Sequence, residues 1–382
     1  MSDDDNLTGS NGDDLFVFSR PIGNDVVYNF NVASDKIDLI DFNNVASFSD
    51  IQANLTDDVH GNAVIALGAG GTITLHGVDA SSLNANDFVF DQQSVTNNTG
   101  NMVVSDGATL PLSGIVNNSG TIVLNSTSNK TDLELIQHGI TLQGGGALRL
   151  SDGVANAIFG TDPSVTLTNV DNTISGSGQL GEGQLTLQNK GTIIASADNA
   201  LTIDTGANAV VNSGTLGATG SGGLVIHSDI INSGLLWANG GSVKIDGNVS
   251  GTGSALIDGR ATFEIGGAFG GNVRLDTGAN ATLKIDHAAD FSGAVAGFDG
   301  SDVLDLADLA FGKNTTLGYA ANSSNTGGTL TVSDGTHTAN IALLGQYTAG
   351  SFVMSADGFG GTHIQDPPPA TLTQALTHPQ HA

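Results

Sequence analysis

Short apolar runs alternate with polar positions along this chain, and glycine, asparagine or aspartate interrupts each run before it reaches helical length. LFVF at residues 15–18, KIDLIDF at 36–42, NAVIAL at 62–67, TITLHG at 72–77 and DFVF at 87–90 each place bulky side chains on one side of an extended segment. No long segment carries a convincing helical period. The pattern predicts an all-β protein.

A second kind of order runs from residue 96 to 290. NNSGTIVL begins at Asn117, QNKGTIIA at Gln188, VNSGTLGA at Val211 and INSGLLWA at Ile231. The anchors Asn189, Asn212 and Asn232 stand 23 and 20 residues apart. That interval suits one coil of a β-solenoid, in which each strand stacks on the next coil and asparagine or glycine returns to the same corner. A β-sandwich with Asn-Gly turns is the alternative, because the two architectures share turn chemistry. Near the C-terminus, GFDGSDVLDLADL at 297–309 parallels NFNVASDKIDLIDF at 29–42, and IALLG at 341–345 parallels ITLHG at 73–77. SFVM at 351–354 then answers DFVF at 87–90, so an internal duplication is expected to flank a different middle. The expected domains are 1–95, 96–290, a related β-rich module at 291–366, and a flexible Pro-rich tail at 367–382.

Composition narrows the picture. With 54 glycines and 5% aromatic residues, small side chains must fill much of the interior. Cysteine is absent, which removes disulfides, thiolate metal sites and cysteine nucleophiles together. No apolar run approaches the roughly 18 residues of a membrane span, and the start MSDDDN is acidic where a secretory signal is basic and then apolar. The expectation is no membrane span and no standard N-terminal export signal. A net charge of −28 disfavours nucleic acid and anionic membranes as partners. Residues 1–95 hold 15 acidic and 2 basic side chains, against 16 and 7 in residues 96–290, so the excess is concentrated at the front.

The acids at the front recur in one setting. Gly12-Asp13-Asp14-Leu15-Phe16, Gly23-Asn24-Asp25-Val26-Val27, Ala33-Ser34-Asp35-Lys36-Ile37 and Gly300-Ser301-Asp302-Val303-Leu304 all place a carboxylate just ahead of a strand-like run. The first of them resembles the RTX (haemolysin-type) nonapeptide G-G-x-G-x-D-x-apolar-x, a calcium-binding repeat. Gly9, Gly12, Asp14 and Phe16 match, and Ser10 replaces the second glycine. Through residue 90 the chain is similar to the C-terminal β-roll region of serralysin-type secreted proteins. The resemblance implies calcium (Ca2+) held by carbonyls of Gly9, Asn11 and Gly12 and by the Asp14 carboxylate, with a facing turn completing the shell of six to eight oxygens. It also implies that Asp14 and Asp35 face one ion while Gly23 and Asp25 serve the opposite edge, where Arg20 and Pro21 stand in place of the usual glycines. Solvated acidic turns without metal are the plainer alternative.

The middle and GGTLTVSDGTHTANIALLGQY at 327–347 resemble large repetitive adhesin-like or haemagglutinin-like surface proteins of Gram-negative bacteria. Together the resemblances imply an RTX-type β-roll, a right-handed parallel β-helix (β-solenoid) and a second small β-rich module. They further imply type I secretion through an uncleaved C-terminal signal and an extracellular or cell-surface location, with a glycan or protein surface as ligand.

Catalysis has little to stand on in the sequence. None of the 9 histidines is followed by glutamate, so the zinc protease motif is missing. No serine lies in Gly-x-Ser-x-Gly, and His60, His76, His337 and His363 sit in turn or strand contexts. Lys130, Arg149, Lys190, Lys244, Arg260, Arg274 and Lys284 are scattered singly, and Glu134 with His138 is the nearest acid–base pair. The expectation is a non-enzymatic protein. A polysaccharide lyase, hydrolase or epimerase on a β-helix is the rival, and a structural spacer the blander alternative.

Overall fold

The computed structural model describes residues 4–19, 22–40, 42, 45–68, 71–90 and 94–366; Arg20, Pro21 and the 367–382 tail lie outside the described residues. It is nearly all β, a β-solenoid of about 14 turns, and it divides into two compact units at residues 94 and 95.

In the first unit the chain alternates between two parallel ladders. Asn6–Thr8, Asn24–Tyr28 and Thr72–Leu75 form one, and Leu15–Ser19, Lys36–Ile40 and Phe88–Phe90 form the other. Their inward residues, among them Phe16, Val27, Ile37 and Ile73, share one core. Two antiparallel strands, Leu55–Asp57 and Ala63–Ala66, extend the first ladder beyond Thr72–Leu75. A short helix, Phe48–Gln52, precedes them and is closed by a capping box between Ser47 and Asp50.

The second unit winds in coils of three strands. Val210–Asn212, Thr215–Ala218 and Leu224–Ile226 make one coil, and Ile230–Asn232, Leu235–Asn239 and Val243–Ile245 stack on it in parallel. Three faces result, called here first, second and third in that order. Parallel pairing with strands about one coil onward rules out the sandwich. Inward positions stack into continuous columns: Ile193, Leu216, Leu236, Ala255, Val273 and Val295 follow one another in register and are buried. Each buried Leu or Ile contributes roughly 1.5–3 kcal/mol, which offsets the scarcity of aromatics.

The repeated asparagines form the corner between the first and second faces. Asn169 Nδ2 donates to Asn189 Oδ1 at 2.9 Å, Asn189 to Asn212 at 2.9 Å and Asn212 to Asn232 at 2.7 Å. The same chain of side chains extends from Asn98 to Asn118 and from Asn118 to Asn172, each at 2.8 Å. The glycine of NSG is required here: a Cβ on Gly234 would lie 2.1 Å from the Gly214 carbonyl oxygen. At the next coil Gly251 replaces asparagine and the ladder stops.

Residues 291–366 belong to the same compact unit as the coils before them. Val303–Leu306 is parallel to Thr282–Ile285, and Thr338–Leu344 is parallel to Ala294–Ala296. Thr338–Leu344 also carries an antiparallel pair, Gly327–Ser333 and Thr316–Ala321. This is the connection that Thr72–Leu75 makes in the first unit. One further hairpin, Val353–Ala356 with Thr362–Gln365, runs antiparallel beside Val303–Leu306.

Candidate functional site

Leu15 and Lys36 are register partners, so Asp14 and Asp35 lie on one edge of the first unit. Asp35 is 2% exposed, and its Oδ1 accepts the Asp14 N–H at 3.0 Å and the Ser34 hydroxyl at 3.2 Å. Its Oδ2 accepts the Asn31 N–H at 2.8 Å, so this carboxylate ties two successive turns together. Asp14 is less enclosed and accepts from the Ser10 N–H and, at 3.0 Å, from the Ser10 hydroxyl. Ser10, which departs from the RTX pattern, also accepts the Gly12 N–H and so closes the turn on itself. Gly9 is fixed by crowding, since a Cβ there would sit 2.8 Å from the Asn29 carbonyl oxygen. Asn11 and Gly12 are exposed.

Asp25 stands on the other ladder. It is 1% exposed and accepts the Asp5 N–H at 2.8 Å, while Gly23 accepts the Thr72 N–H through its carbonyl at 3.0 Å. Asp5 Oδ2 is buried with no hydrogen-bond partner. A buried carboxylate oxygen without a donor is costly. A carboxylate oxygen of this kind is a ligand that a hard cation takes. Asp5 carries no local motif of its own and stands 20 residues before Asp25, one coil away.

The same stitch recurs far downstream. Asp302 is fully buried, with Oδ1 accepting the Ala281 N–H and Oδ2 the Asp299 N–H, each at 3.0 Å. Burial pushes its carboxyl above the ordinary range, and the two hydrogen bonds offset only part of that. At Asp25, Asp35 and Asp302 the carboxylate ahead of a strand-like run therefore joins neighbouring coils, whereas Asp14 closes its own turn. Metal binding is not needed to explain its recurrence.

Two of the cations that stand singly in the sequence, Lys244 and Lys284, are brought together by the coils. Lys244, Glu264, Lys284, Asp305 and His363 occupy one row across the third face. Glu264 meets Lys244 at 3.2 Å and Lys284 at 3.0 Å. Burial raises the Glu264 pKa, but the two lysines outweigh it and hold the carboxyl below its usual range. A carboxyl lowered in the fold contributes stability above its unfolded pKa, and that contribution disappears as pH falls through the folded value. Glu264→Gln is thus expected to cost about 1 kcal/mol at neutral pH. Thermal melts should show the difference vanishing well below about pH 4, where the wild-type glutamate is also protonated. A difference independent of pH would mean that packing, not charge, is lost.

Two acid–base groupings bear on catalysis. Asp132 is raised by burial; Lys130 opposes this, and Glu182 and Glu134 add to it. Lys130 bridges to Glu182 at 2.8 Å and lies over the Phe159 ring. Glu134 and His138 are separated by a corner, where Gln137 and Gly139 take positive φ values of 57° and 91°. The other grouping is the row Asp305, His363 and Ser355. His363 Nε2 lies 3.6 Å from Asp305, but no hydrogen bond joins His363 to Ser355. Among the described residues, no group of three or more His, Cys, Asp or Glu is arranged to hold a metal through side chains alone. No protein-family model matches the chain, and no curated protein matches it.

Proposed function

We propose that this chain is a secreted, calcium-dependent, non-enzymatic β-solenoid with an adhesive, surface or matrix role. The observation that carries the calcium reading is the buried, unpartnered Oδ2 of Asp5, a residue whose N–H donates to buried Asp25, in a stretch of 15 acids and 2 bases. The Asp14 and Asp35 edge adds oxygen donors of the same kind, with Asp14 the more available of the two. Calcium would neutralise charge that otherwise opposes folding, which suits a protein that folds after type I export into calcium-rich surroundings. Threonine hydroxyls in register on successive coils, as at Thr173, Thr192 and Thr215, suit binding at a surface.

The test is a calcium titration of the full chain followed by far-ultraviolet dichroism and melting. Extracellular calcium modules bind at about 10⁻⁴ to 10⁻³ M, so the first unit should gain stability across that range and the second should respond less. Asp25→Asn should weaken the response. Identical melts in chelator and in calcium would end the metal reading. A cell- or matrix-attachment assay in calcium tests the adhesive role separately.

A further inference from the structure

The second face turns one row of side chains outward, and we propose that this row is a binding surface for a neutral polysaccharide with Trp237 as its stacking platform. The proposal deepens the adhesive reading and rests on it. Ile194, Gly217, Trp237 and Leu256 follow one another in register on four successive coils. Their strand neighbours Leu216, Ala218, Leu236 and Ala238 are buried, so alternation sends the row to the outside. Trp237 is the chain's one tryptophan, and it sits in a sheet face rather than in the core.

Gly217 makes the platform possible. A Cβ there would lie 2.6 Å from the Trp237 carbonyl oxygen, 3.1 Å from Trp237 Cβ and 3.3 Å from Ile194 Cδ1. The indole Nε1 is buried without a partner, so packing alone holds the ring. The next row on the same face supplies hydroxyls from Thr173, Thr192 and Thr215 in register, with Leu235 at that place on the coil of Trp237. An apolar, half-buried aromatic with threonine hydroxyls on the coils before it matches a pyranose chain, which has C–H faces to stack and hydroxyls to pair. The row from Ser175 to Leu256 carries no charge and is bounded in register by Arg149 and Arg274, in a chain of net charge −28. A neutral polymer meets no penalty there, whereas a polyanion is repelled by the molecule as a whole. Coils repeat every 4.7–4.9 Å or so, so the outward positions stand at a regular interval along the face.

The single tryptophan makes the experiment direct. The full chain is titrated with cellohexaose and with chitohexaose while Trp237 emission is read, and retention on insoluble cellulose and chitin is measured alongside. A saturable emission change with at least one sugar is expected, together with about a tenfold loss of retention in Trp237→Ala. Trp237→Phe should keep part of the retention, and unchanged dichroism and melting would show that both variants fold. Three results overturn the proposal: no emission change with either sugar, retention unaffected by Trp237→Ala, or preferential binding of a polyuronate that depends on Arg149. If attachment persists while neither sugar binds, this inference fails and the adhesive reading stands. If the sugars bind and attachment does not occur, the reverse holds.

Discussion

Replacing Asn212 by leucine is expected to lower the unfolding free energy of the solenoid unit by about 2–4 kcal/mol, because one side chain serves two buried neighbours. Asn212 accepts from Asn189 Nδ2 and donates to Asn232 Oδ1, and all three are at most 2% exposed. The remaining bonds of Asn189 to the Gly191 and Thr215 carbonyls soften the loss on that side. Asn212→Asp is the sharper variant. It preserves shape and the bond from Asn189, but sets a carboxylate oxygen against the Asn232 acceptor, 2.7 Å away in the native ladder. A buried carboxylate so placed has a raised pKa, so its penalty is full at neutral pH and shrinks as pH falls and the group regains a donor. Urea unfolding of the full chain at neutral and acidic pH, with the exposed-site change Ser213→Ala as reference, checks both statements. Equal penalties for Asp and Leu at every pH would mean that the ladder acts by filling space and not by hydrogen bonding.

The ladder also marks where sequence reasoning succeeds and stops. Asn189, Asn212 and Asn232 are legible because their coils are nearly equal in length and the NxG pattern survives in each. Asn172 is not, since it meets Asn118 across 54 residues, after a longer coil whose corner holds glycines at 144–146 in place of an asparagine. Three-sidedness was equally hidden: strands such as Leu201–Ile203 and Val210–Asn212 have three residues, too few to display a period. The charged row is readable in the sequence only when the coil interval is applied to its charges, because Lys244, Glu264 and Lys284 stand 20 residues apart with no local motif around them. Trp237 was readable by aligning INSGLLWA with VNSGTLGA, which sets the tryptophan opposite Gly217. At the front of the chain, the recurring aspartates were visible as a motif. Their work in joining turns was not, because it lies in contacts to backbone N–H groups about one coil away.

That distinction gives the two acids of the first edge different expected behaviour. Asp35→Ala removes the acceptor for the Asp14 and Asn31 N–H groups, bonds of 3.0 and 2.8 Å made by a buried carboxylate. Charge-assisted bonds are worth about 1.5–3 kcal/mol each, so a loss of about 3–5 kcal/mol in the first unit is expected, in chelator and in calcium alike. Asp14→Asn should cost little in chelator. Its carboxylate meets only Ser10 at an exposed turn, and asparagine keeps one oxygen for that contact. If Asp14 is a calcium ligand, its variant should lose most of the stabilisation that calcium adds, because the charge balancing the cation has gone. Hydrogen exchange of the Lys36–Ile40 amides, followed in both conditions for wild type and the two variants, separates the roles. Protection lost equally in both variants and independent of calcium would make the whole edge a structural stitch of the kind Asp302 makes. Protection lost by Asp14→Asn only in calcium would place the ion at the turn that Ser10 closes.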